Sequence, residues 1–164
     1  LRALPVALRR YVIDLRQASG ARVGFERLDL IDSTNSNYTA ELPRINERYH
    51  GRRYCFFYGV ASKTSAAVSQ QGLAKVNVCD ARAGRGSAAV TAWQRDNHYT
   101  SEPIFVPRPN ATREDDGVVL SFALDGAAGR SYLLALDATT MQTIGTARMP
   151  VTLPNDVHGL FVEG

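Results

Sequence analysis

Three histidines, His50, His98 and His158, are the residues of this chain best suited to bind a metal or carry a proton. None stands four positions from another histidine or beside a cysteine, so no self-contained zinc site can be read from the spacing. Taken singly, each reads as a structural or solvated imidazole. Cys55 and Cys79 make neither a disulfide framework nor a metal knuckle, and they read as reduced, packed thiols. No Gly-x-Ser-x-Gly elbow or Walker-type loop is present, and Gly84-Arg85-Gly86 reads as a turn. Arg44, Arg48, Arg52 and Arg53 form a local basic cluster whose plainest reading is a solvated flank of strand and turn, with a phosphate or carboxylate contact as the alternative. Glu41 and Glu102 each precede apolar, proline-containing text, and by type and place alone they read as surface glutamates at strand starts.

The elements that would position these groups are short strands. Runs at Leu8–Leu15, Val23–Leu30, Arg53–Ala61, Gly72–Asp80, Ser87–Gln94, Pro103–Val106, Gly117–Leu124, Ser131–Leu136, Thr146–Val151 and Leu160–Val162 carry β-branched, aromatic or alternating text. Asp125-Gly126 and Asp115-Asp116-Gly117 supply turn chemistry between them. Ser62–Gln71 reads as a loop or a single turn. Such spacing indicates an all-β sandwich, barrel or propeller. The 164 residues, 45% hydrophobic and 21% charged, exclude a disordered or fibrous chain. No apolar run reaches the roughly 18 residues of a helical membrane span. A net charge of +3 is too dilute to argue for nucleic acid.

Three segments add more. Glu41-Leu42-Pro43-Arg44-Ile45-Asn46 leads through Gly51-Arg52 into the aromatic strand from Tyr54 to Gly59. Ser101-Glu102-Pro103-Ile104-Phe105-Val106-Pro107-Arg108-Pro109 is followed by Glu114-Asp115-Asp116-Gly117-Val118. Val157-His158-Gly159-Leu160-Phe161 stands near the end. In this order and spacing they closely resemble the C-terminal part of the carotenoid cleavage oxygenases, over residues 8 to 164. The resemblance implies a seven-bladed β-propeller, of which residues 1–164 would be the last two to three blades of one domain, with no separate second domain. It implies a non-haem Fe(II) on the propeller axis, held by four histidines, of which only the last matches here, at His158. Glu41 and Glu102 match the family's carboxylates that hydrogen-bond the ligating histidines; His50 and His98 match no ligand position. A carboxylate on the far nitrogen of a metal-bound imidazole fixes its tautomer and ring angle, which accounts for acidic residues beside apolar strands where an unpaired carboxylate would be costly.

The reaction implied is O2-dependent cleavage of one conjugated C=C bond of a lipophilic carotenoid or apocarotenoid, giving two carbonyl products. Retinyl ester and stilbene-like substrates stay open, as does a non-catalytic binding or assembly role. The resemblance further implies that the 164-residue chain alone is inactive. Localisation stays open between cytoplasm and plastid. Family members usually sit on membranes, so a peripheral membrane association of the full-length protein also stays open, and the dilute charge argues for no nucleic acid partner.

Overall fold

The computed structural model describes residues 8–17, 19–31, 33–34, 36–63, 71–82, 89–154 and 158–162. Strands β1 (Leu8–Tyr11) and β2 (Phe25–Leu28) form an antiparallel pair. A four-stranded antiparallel sheet follows in the order β3 (Tyr38–Arg44), β4 (Phe56–Lys63), β5 (Gly72–Asn77), β6 (Val90–Gln94). The next sheet runs outward from β9 (Gly117–Asp125) through β10 (Arg130–Asp137) to β11 (Thr143–Arg148). Along the other side of β9 lie β7 (His98–Thr100) and β8 (Ile104–Pro107), end to end. The two are separated by Ser101-Glu102-Pro103, so Glu102 sits at a break in an otherwise continuous inner strand. Each sheet is a meander of the propeller-blade type, and the pair is an unclosed part of a propeller.

The blades pack face to face. Tyr58, Val60 and Leu73 of the first meet Phe105, Val119, Ala123, Leu134 and Leu136 of the second in one apolar core. The Tyr58 ring stacks on Phe105 at 5.4 Å, and its hydroxyl donates to the Ala138 carbonyl at 3.0 Å. Strand β9 shows the period-two pattern that puts Val119, Ser121 and Ala123 inward. On β5 the alternation serves two cores: Leu73 faces the second blade, while Ala74 and Val76 pack with Phe57, Ala61 and Val90 on the far face.

Polar residues fix the joint. The Glu114 carboxylate accepts the backbone N–H groups of Cys55 (2.9 Å) and Phe56 (2.6 Å), and the Glu114 carbonyl accepts from Asn46 Nδ2 at 3.0 Å. Lys75 Nζ, on β5, donates to Asp115 at 2.6 Å and to the Thr139 carbonyl at 3.1 Å, and lies 4.2 Å from the centre of the Phe56 ring. Asp116 pairs with Arg108 at 3.1 Å. Gly117 then enters β9 where a Cβ would fall 2.5 Å from the Val106 carbonyl oxygen, which only glycine tolerates. The Glu-Asp-Asp-Gly run is thus a clamp between blades.

Several sequence expectations need correction. Tyr38–Arg44 and His98–Thr100 are strands that the sequence text hid; the first carries Pro43 on an edge strand, where the lost N–H costs no ladder bond. The run from Gly72 leaves the sheet at Asn77, whose Oδ1 accepts the N–H groups of Cys79 and Asp80 and opens the short helix α1 (Val78–Arg82). The last ladder strand is Thr143–Arg148 rather than Thr146–Val151, and Leu160–Val162 is in no strand. Ser62 and Lys63 end β4; residues 64–70 and Gly84-Arg85-Gly86 lie outside the described residues.

Cys55 and Cys79 are not reduced thiols but a disulfide, with Cα atoms 5.1 Å apart. The cause is register: Phe56 pairs with Asn77, so the antiparallel β4–β5 hairpin brings the residues flanking it together. The helical turn at Val78 then swings Cys79 back onto Cys55. Closing a loop between residues 24 apart stabilises by about 3.5 kcal/mol in the chain-entropy account. Reduction, or Cys55→Ser, is therefore expected to lower unfolding stability by about that amount in urea titrations monitored by fluorescence. Unchanged midpoints would show that the blade clamp alone fixes this end of β4.

Candidate metal centre

The local fold of the Glu-Leu-Pro-Arg segment comes first. Glu41 pairs with Val60, but Arg44 pairs with Tyr58, so Leu42 and Pro43 bulge against the single residue Gly59. Leu42 takes φ 51°, a left-handed value rarely adopted by a bulky side chain. Gly59 permits the close approach, since a Cβ there would lie 2.8 Å from the Glu41 carbonyl oxygen. The bulge bends the strand and aims Arg44 across the joint at the second blade.

There Arg44 Nη2 donates to Glu102 Oε2 at 2.9 Å and to the Gly159 carbonyl at 3.1 Å. Glu102 Oε2 also accepts the Gly159 N–H at 3.2 Å, and Oε1 lies 3.2 Å from His158 Nδ1. The Glu102 side chain is only 5% exposed, whereas His158 is 71% exposed. Burial pushes the Glu102 carboxyl upward, but the bonds from Arg44, Gly159 and His158 together outweigh it and hold the group below the usual carboxylate range. An ionised carboxylate only accepts, so the proton of neutral His158 sits on Nδ1 and the Nε2 lone pair stays available to a metal.

An apolar cleft of about 250 Å³ adjoins this pair. Ile104, Leu120, Phe122, Leu133, Leu160 and Phe161 form its walls, with Glu102 and His158 at its polar end.

The other candidates lie elsewhere. Glu41 is exposed on β3, and its carboxylate makes no hydrogen bond or ion pair among the described residues; the structure does not bring it to His158. His50 is exposed and pairs with Glu47 at 3.2 Å. His98 is buried between Trp93 and Tyr132, with Nδ1 2.8 Å from the Asp96 carbonyl and Nε2 3.8 Å from Asp125. Among the described residues no group of three or more His, Cys, Asp or Glu side chains is placed to hold a metal ion. For Arg44 the lesser sequence reading, a carboxylate contact, holds rather than the solvated flank: it bonds Glu102 across the blades. Its place inside the Glu-Leu-Pro-Arg motif was the available signal.

The sequence model of one family, described as retinal pigment epithelial membrane protein, matches residues 2–163. The chain belongs to that family. Among curated proteins, the family member named beta,beta-carotene 15,15'-dioxygenase from Gallus gallus is 37% identical over 123 residues, covering 74% of this chain and 22% of that protein. The mitochondrial carotenoid-cleaving dioxygenase of Homo sapiens is 36% identical over 124 residues, covering 74% of this chain and 20% of that protein. The cobalt-substituted Synechocystis apocarotenoid oxygenase superposes with a TM-score of 0.76 at 25% identity, over 96% of this chain and 30% of that one. The chain thus spans about a fifth of the length of these curated relatives. Its resemblance to carotenoid cleavage oxygenases and its all-β, partial-propeller fold are both borne out.

Proposed function

We propose that this chain is the C-terminal part of a non-haem Fe(II)-dependent dioxygenase that cleaves a conjugated C=C bond of a carotenoid or apocarotenoid. The observation that carries this reading is the buried Glu102 carboxylate on Nδ1 of His158, beside an apolar cleft. That is the arrangement of a metal-ligating histidine whose second nitrogen is held by an acceptor. The donor set fits iron in part: His158 supplies one neutral imidazole, and the remaining ligands would come from beyond this chain. In the proposed scheme Glu102 sets the tautomer and ring angle of His158, and Glu41 performs the same service for a histidine outside the chain. Bound there, the iron would supply the O2-activating chemistry. One alkene and one O2 give two carbonyl products, so no external reductant is consumed. The walls from Ile104 to Phe161 exclude water and suit a polyene. A substrate this apolar also places the full-length protein at a membrane surface, as a peripheral component.

The reading is tested by incubating the full-length protein with β-carotene and an apocarotenal under O2 and identifying the products. Two carbonyl fragments, with none formed by the 164-residue chain alone, are the expected result. Intact polyene with the full-length protein, iron supplied, would overturn it.

A further inference from the structure

We propose that Arg44 is a positioning residue for the metal-binding histidine: by holding Glu102 and the Gly159 carbonyl, it sets the ring of His158 from the neighbouring blade. This rests on the reading of His158 as an iron ligand.

Packing does not orient His158, since the side chain is 71% exposed. Its described polar tether is Glu102. Glu102 in turn has one oxygen on His158 and the other shared by Arg44 Nη2 and the Gly159 N–H. Arg44 Nη2 also holds the Gly159 carbonyl, so a single guanidinium nitrogen fixes both the carboxylate and the backbone next to the imidazole. Without Arg44, Glu102 loses its only charged donor among the described residues and the Gly159 carbonyl is released, so neither the carboxylate nor the backbone beside His158 is held at the angle the Nδ1 contact requires.

Two local costs mark this contact as maintained for its reach. Leu42 holds a left-handed backbone conformation to make the bulge that aims Arg44. Arg44 Nε is buried without a hydrogen-bond partner among the described residues, although an unsatisfied buried donor is unfavourable. A residue serving only to neutralise Glu102 needs neither the bulge nor a guanidinium. A lysine ammonium also has donors for both acceptors, but on a freely rotating head; the guanidinium holds the two Nη2 hydrogens in one fixed plane.

The test is the tautomer of His158, read from long-range proton–nitrogen spectra of the 164-residue chain with nitrogen-15 histidine at a pH where the ring is neutral. The wild-type ring is expected in the Nδ1–H form. Arg44→Met should shift it to the mixture of free imidazole, in which Nε2–H dominates, and Arg44→Lys should fall between. In the full-length protein, Arg44→Met should weaken Fe(II) binding by about 10- to 100-fold, as other outer contacts to metal ligands do. Arg44→Lys keeps the charge and guards against loss of fold in Arg44→Met. An unshifted Nδ1–H signal in both folded variants would overturn the proposal. If the tautomer follows Arg44 but the wild-type full-length protein holds no iron, the iron reading fails while the positioning role stands.

Discussion

Lys75→Met is expected to destabilise the chain by about 3 kcal/mol, the low end for breaking a buried ion pair, because Asp115 keeps Arg113 Nε at 3.7 Å. The Lys75 and Asp115 side chains are 8% and 12% exposed, so neither can recover its hydration when the other is removed. Lys75 Nζ also satisfies the Thr139 carbonyl and lies over the Phe56 ring, which methionine can pack against but not bond. Removing both charges should cost much less: a Lys75→Met, Asp115→Leu double variant leaves no orphan ion, and its loss should fall well short of the single variant's. Chemical denaturation of the three proteins checks this. Equal losses in single and double variants would mean that the pair is solvated and that the apolar core alone joins the blades. The pair is one part of the Glu-Asp-Asp-Gly segment, each of whose residues reaches a different partner across or beside the joint.

The second large effect concerns His158. On the proposed reading, His158→Ala in the full-length protein is expected to abolish cleavage and iron binding, because it removes one of the proposed ligands. Glu102 would then be left buried against Arg44 and Gly159, still bonded, so the fold should survive. The variant should therefore unfold within a few degrees of wild type while losing activity. That separation distinguishes loss of a ligand from loss of structure. Retained cleavage in the variant would remove His158 from the site.

Much of this was legible in the sequence. Strand text with period-two alternation located β9 and β10 to within a residue or two, and the family resemblance singled out Glu102 and His158, which the structure places 3.2 Å apart. Legibility failed where a residue's role depends on register between distant strands. Arg44 looks like one member of a basic run until the bulge opposite Gly59 turns it toward the second blade. The cysteines look unrelated until Phe56 is paired with Asn77. Tyr38–Arg44 hides as a strand because its edge position tolerates a proline that local propensity counts against it. Glu41 is the converse case: its motif is plain, but it stands exposed on β3, and among the described residues no histidine is bonded to it.

Iron content measured on the purified full-length protein, side by side with His158→Ala, decides whether His158 is a ligand. Close to one iron per wild-type chain and almost none in the variant is the expected result. Iron retained at wild-type stoichiometry in a folded His158→Ala protein would contradict it.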